Sequence, residues 1–236
     1  MNERHKMRLT RLTKAGPAIA FAAASLLVIT LPAAAQETAT QMSMKMSMSA
    51  ASVIADWPAT PKEVAQKTIE KYGEPDGVTK DMLVWTGNGP WKKTSVSREE
   101  IPHDFPVKHT DLMKQEIDYR VPADKFDDLA RYDGSVIVER TKGTIAARCD
   151  KEEANFLALN LAHDIVTGKK TAEQAREAYA KDVKASMMGE KPAYMQKLQF
   201  SVPKGNTADA DRSVLDKGMM KAMKEKEMMK KGNSGQ

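Results

Sequence analysis

Two periodicities alternate along the chain between Trp57 and Phe200. At helical spacing, Ala65, Ile69 and Tyr72 share one face. Thr60-Pro61-Lys62-Glu63 sets a capping hydroxyl before proline with a glutamate three residues on, and Gly73 supplies a stop. A shorter helix is predicted over Ala123 to Tyr132, burying Phe126 and Leu129 and ending at Asp133-Gly134. Asp150-Lys151-Glu152-Glu153 opens a third, in which Phe156, Leu157, Leu159, Leu161 and Ile165 wrap more than one face, the pattern of a central buried helix, closed at Gly168. Thr171-Ala172-Glu173-Gln174 is a capping box, and Ala175, Ala178, Tyr179 and Val183 continue its apolar side, so the last two helices form a hairpin.

Between the helices the period drops to that of strands. Met82 to Thr86 and Trp91 to Arg98 flank the turn Gly87-Asn88-Gly89-Pro90, and Ser135 to Thr141 and Thr144 to Cys149 flank Lys142-Gly143. Met113, Ile117, Tyr119 and Val121 alternate with Lys114, Glu116, Asp118 and Arg120, as in a strand with one wet face. The expected fold is α+β: a small antiparallel sheet of about five strands with two hairpins, and four helices packed on one face.

The ends read differently. Residues 1–35 carry a basic start, an apolar stretch from Pro17 to Leu31 and small residues at Ala33-Ala34-Ala35, the layout of a secretory signal peptide. About 15 apolar residues are fewer than the roughly 20 a spanning helix needs, so no transmembrane segment is expected after cleavage, and the mature protein is expected in the periplasm or outside the cell. Residues 36–56, rich in Ser, Ala, Thr, Gln and Met, read as a disordered lead-in, 57–200 as the folded domain, and 201–236 as a flexible Lys/Met-rich tail.

Charge narrows the partners. The net charge of +5 resides mostly in the first 35 residues, which leaves 32 basic against 31 acidic side chains in the rest. Nucleic acid is therefore not an expected partner, because that role needs concentrated positive charge. The single cysteine, Cys149, means an exported domain that folds by burial without a disulfide. It shares a strand face with Ile145 and Ala147, so a buried thiol is expected rather than a nucleophile paired with His163. His163, near the end of the third helix, is expected to complement the helix dipole as a cation.

Candidate chemistry is sparse. Gly87-Asn88-Gly89 leads into Pro90-Trp91 and a strand, which excludes a phosphate cradle opening a helix. No nucleophile elbow, zinc-protease helix or paired-cysteine motif occurs. His103, Asp104, His109 and Asp111 fall within nine residues of what reads as a loop, and imidazole with carboxylate suits zinc or copper. Of the 16 methionines, Met42, Met44, Met46 and Met48 lie in the lead-in and Met219, Met220, Met223, Met228 and Met229 in the tail, where no core explains them. The run Met42-Ser43-Met44-Lys45-Met46-Ser47-Met48 resembles the alternating methionine motifs of periplasmic copper-handling and silver-binding proteins. That resemblance covers seven residues and implies thioether coordination of a soft ion, copper above all. The expected function is thus an exported binding or interaction protein of the bacterial cell envelope, with an envelope protein as partner or a soft metal as cargo. A metal-dependent hydrolase using the His103–Asp111 loop is the competing class.

Overall fold

A computed structural model describes residues 49–233, so the signal segment and Met42 to Met48 lie outside the described residues. The described chain is α+β, with seven α-helices and one antiparallel sheet of six strands. In chain order the elements are α1 (Ala50–Ile54), α2 (Ala59–Tyr72), β1 (Gly77–Thr79), β2 (Met82–Thr86), β3 (Lys93–His103) and β4 (His109–Asp118). A 3-10 turn over Ala123–Lys125 leads into α3 (Phe126–Tyr132), followed by β5 (Val136–Glu139), β6 (Thr144–Cys149) and α4 (Glu152–Val166). The chain continues as α5 (Ala172–Met187), α6 (Ala193–Gln196) and α7 (Lys217–Asn233). The strands run β1-β2-β3-β4-β6-β5, every neighbour antiparallel.

Helices α2 and α4 cover the sheet face that presents Met113 and Gln115. The Thr68 hydroxyl of α2 lies 3.8 Å from the Met113 sulfur, and the Asn155 amide of α4 donates to Gln115 Oε1 at 3.0 Å. Leu157, Leu159, Leu161 and Ile165 of α4 are all buried in the larger core, where Trp91 stacks on Phe156 at 4.7 Å. Burying each such aliphatic side chain contributes about 1.5–3 kcal/mol. A second core under α2 gathers Leu83, Trp85, Val96, Leu112 and Met113. Trp85 and Trp91 thus serve different cores.

The structure moves several expected boundaries. The folded unit starts before Trp57: Ala50 and Ile54 of α1, together with Trp57, are buried in the second core. Helix α2 opens at Ala59 with Pro58 before it, and Thr60 does not cap it. The extended Pro58 carbonyl already accepts the first helical bond from Lys62 N–H at 3.0 Å, leaving Pro61 in the first turn, where a missing N–H costs nothing. The box at Thr171 forms in full, with Oγ1 accepting from Gln174 N–H at 3.2 Å and Gln174 Oε1 accepting from Thr171 N–H at 3.0 Å.

Beyond Ser201, where a flexible tail is expected, the chain crosses back over the domain as a strap. Thr207 Oγ1 donates to the Gly143 carbonyl at 2.7 Å, and Arg140 Nη1 donates to Asp209 at 2.9 Å. Gly143 sits at φ +71, and a Cβ there would lie 2.2 Å from the Thr207 carbonyl carbon, so only glycine admits the strap. Helix α7 follows, with Met219, Met220, Met223, Met228 and Met229 exposed along it. Among the described residues no helix is long and apolar enough to cross a membrane.

Candidate metal centre

Residues 103–111, read as a loop, are instead the closing end of a hairpin. Strands β3 and β4 run on toward each other until His103 and His109 become cross-strand partners, with only Asp104 to Lys108 between them. A cross-strand pair projects both side chains from the same face, with the Cβ atoms about 5 Å apart. The two rings accordingly stand 4.9 Å apart, and strand alternation puts Asp111, two residues beyond His109, on that face too. One ligand atom from each of His103, His109 and Asp111 lies within 4.8 Å of the others. Asp104 is exposed and does not join them.

Asp111 is buried between the two imidazoles. His103 Nδ1 lies 3.3 Å from its carboxylate, and His109 Nε2 lies 3.2 Å from Oδ1. The outer nitrogen of each ring also faces an acceptor. His109 Nδ1 is 2.9 Å from the Val107 carbonyl, and His103 Nε2 is 3.7 Å from Asp133 Oδ1. Asp133 is itself buried and fixed by the Ser135 N–H at 2.8 Å and the Ser135 hydroxyl at 2.7 Å. Arg148 Nε approaches the Asp111 carboxylate to 3.8 Å. The Asp111 carboxylate, followed by the Cys149 sulfur, holds the His109 imidazole proton far above the usual range, up to about 11, although burial opposes this.

The hairpin loop is clamped from α5. The Arg176 guanidinium lies 3.8 Å from the Phe105 ring centre, and the Tyr179 ring is 5.1 Å from that of Phe105. Cys149 ends β6 opposite Met113, is buried, and faces His109 rather than His163. Burial pushes its thiol pKa up, partly offset by His109. His163 sits elsewhere, with Nδ1 2.8 Å from the Tyr119 hydroxyl and its ring stacked on Phe200 at 4.3 Å. Burial, followed by Lys169, lowers its pKa, so the expected cationic helix-end role gives way to a packed, neutral imidazole.

Of the residues singled out beforehand, His103, His109 and Asp111 converge, whereas Met42, Met44, Met46 and Met48 lie outside the described residues. Sequence reasoning missed Asp133 and separated Cys149 from the histidines. Asp133 carried a signal only as the stop of a helix, and its approach to His103 depends on where α3 meets the hairpin.

A groove of about 500 Å³ opens nearby between α2 and the start of α4, lined by Lys71, Tyr72, Met113, Gln115, Asp150 and Glu152 among others. His103, His109 and Asp111 are not part of its lining. Its floor is the Glu152 carboxylate, which accepts from Trp91 Nε1 at 2.6 Å, from Gln115 Nε2 at 3.1 Å, and from Tyr72 and Lys71.

Known families, characterised proteins and solved structures offer no match to this chain. The side-chain geometry therefore carries the functional argument.

Proposed function

We propose that this is an exported metal-binding protein of the bacterial cell envelope, holding a divalent transition ion, zinc or copper, between His103, His109 and Asp111. One observation carries the reading: both imidazoles face Asp111, and the outer nitrogen of His109 is hydrogen-bonded to the Val107 carbonyl at 2.9 Å, while that of His103 lies 3.7 Å from the Asp133 carboxylate. Metal-bound histidines use that arrangement, since the outer N–H bond fixes the ring, and an ion would take the place of the inner proton that Asp111 holds. The spacing supports it. Ligand atoms about 2.0–2.1 Å from a tetrahedral zinc stand roughly 3.3 Å from one another. The nitrogen–oxygen separations here are 3.3 and 3.2 Å. Export rests on the apolar segment before Ala33-Ala34-Ala35. The exposed methionines of α7 and the run at Met42 to Met48 are a second, softer ligand set, suited to monovalent copper or silver.

The test is a zinc titration of the metal-stripped full chain against a competing chelator. His103→Ala and His109→Ala should each weaken binding by more than about 100-fold, and Asp133→Asn by up to about 10-fold through loss of the carboxylate charge beside His103. Unchanged zinc affinity in both histidine variants would remove the site. For the softer set, silver binding should fall when Met42, Met44, Met46 and Met48 are all changed to Leu, which keeps bulk and removes sulfur.

A further inference from the structure

We infer that the ion held by His103, His109 and Asp111 keeps its fourth position for the carboxylate group of a small molecule, and that Arg148 holds that carboxylate beside the ion. This rests on the metal reading above and adds to it the ligand the site takes. Three donors converge and no more: among the described residues no other histidine, cysteine or carboxylate joins the trio. Asp104 is exposed, and the Cys149 thiol is turned to the Asp150 carboxylate at 3.4 Å. Asp133 stands behind His103, 3.7 Å from Nε2. A tetrahedral ion therefore has one corner without protein, the layout of zinc sites that act on a bound ligand, whereas sites that only hold the ion spend four protein donors. Solvent reaches the ion from the imidazole side, since the His103 and His109 side chains are 18% and 14% exposed and that of Asp111 is 3% exposed.

Charge decides what fills the corner. Asp111 Oδ1 meets both imidazoles, at 3.3 and 3.2 Å, which leaves Oδ2 toward Arg148 Nε at 3.8 Å, too long for a hydrogen bond. The Arg148 Nε–H is buried and has no acceptor, a costly state that an incoming oxygen would relieve. A divalent ion, neutral imidazoles, Asp111, Asp133 and Arg148 together carry one positive charge. A monoanion at the fourth corner leaves that set neutral, whereas water leaves a net charge in partly buried surroundings. Guanidinium presents a planar fork that matches a carboxylate, so one oxygen can sit on the ion and the other on Arg148. His103, His109 and Asp111 lie outside the lining of the groove between α2 and α4, so the part of the ligand that is recognised is the anionic group itself. The ligand enters by displacing water from the ion, and no bond within it changes.

Cobalt(II), a coloured substitute for zinc, is the probe ion in the full chain, and azide and acetate are the probe anions. Azide at constant ionic strength should shift the visible bands of the cobalt-loaded protein and add an ultraviolet azide-to-cobalt charge-transfer band, and acetate should displace it. In Arg148→Gln acetate should bind about 10-fold more weakly while cobalt binds no more weakly, because removing a cation disfavours the anion and favours the metal. A purely structural role for Arg148 would weaken both, and that result would overturn its part in the site. Azide that acetate cannot displace would overturn the carboxylate assignment. A cobalt spectrum unmoved by molar azide would overturn the open position and leave the three-ligand site standing. Failure of the parent chain to bind cobalt or zinc would overturn this inference and the metal reading together.

Discussion

Two buried carboxylates, Glu152 at the start of α4 and Asp111 on β4, have been taken out of water in opposite ways. Glu152 is filled: indole N–H at 2.6 Å, amide N–H at 3.1 Å, a phenol and an ammonium converge on its two oxygens. Around Asp111 the nearest side-chain donors stand off, at 3.2, 3.3 and 3.8 Å, and the buried Arg148 Nε makes no hydrogen bond. A charge-assisted bond is usually about 2.7–2.9 Å long, so Glu152 is held as a structural anion whereas Asp111 keeps capacity for something placed among its neighbours. Burial alone therefore does not mark a functional acid; the slackness of its shell does.

The contrast breaks most visibly at Glu152. Replacing it with Ala leaves the Trp91 and Gln115 donors buried without an acceptor, and urea unfolding should show a loss of about 3 kcal/mol, because breaking a buried charged network costs more than it contributes intact. Zinc affinity, referred to the folded fraction, should not change.

Acid titration sharpens it. Burial pushes the Glu152 carboxyl up, but hydrogen bonds from Lys71, Tyr72 and Trp91 outweigh burial and hold it below the ordinary value of 4.5. A carboxyl with a depressed folded pKa contributes stability that is complete above the unfolded value and is lost as pH falls through the folded one. The parent should therefore lose urea resistance below about pH 4.5, and Glu152→Gln should lose less over the same interval. An identical acid limb in both proteins would mean that other carboxyls set it.

The smallest change is expected at Asp111. In the metal-free chain Asp111→Asn should cost about 1.5 kcal/mol, since the bond it loses is to a histidine, which can shed the proton its anion held, as an indole cannot. The same variant should lose most of its zinc affinity. If its stability fell as far as that of Glu152→Ala, the two shells would be equivalent after all.

The sequence made the frame readable wherever the deciding interactions are local. The Thr171 box, the all-round apolar surface of α4 and the limits of β2 and β6 follow from residues a few positions apart. What escaped depends on distant partners. Strand β1 has three residues, too few to show alternation, and α1 is held by a core formed from strands later in the chain. Pro102, Glu99 and Glu100 hide the continuation of β3, and the register shifts between Val96 and Ile101, so no two-residue period links that strand to His103. The histidines could be singled out by type, but their meeting is a property of hairpin register, and the arrival of Asp133 and Cys149 is a property of tertiary packing.

The strap changes where this domain can be cut. A version shortened at Phe200, the last residue of the expected domain, discards the hydroxyl that covers the Gly143 carbonyl and the carboxylates of Asp209 and Asp211 that face Arg140. It would also uncover the tip of the β5–β6 hairpin, whose far strand leads into Cys149. Any shortened form meant to keep its stability, or any fusion joined to its C-terminal side, should carry the chain through Asp211 and place the junction before α7 begins at Lys217.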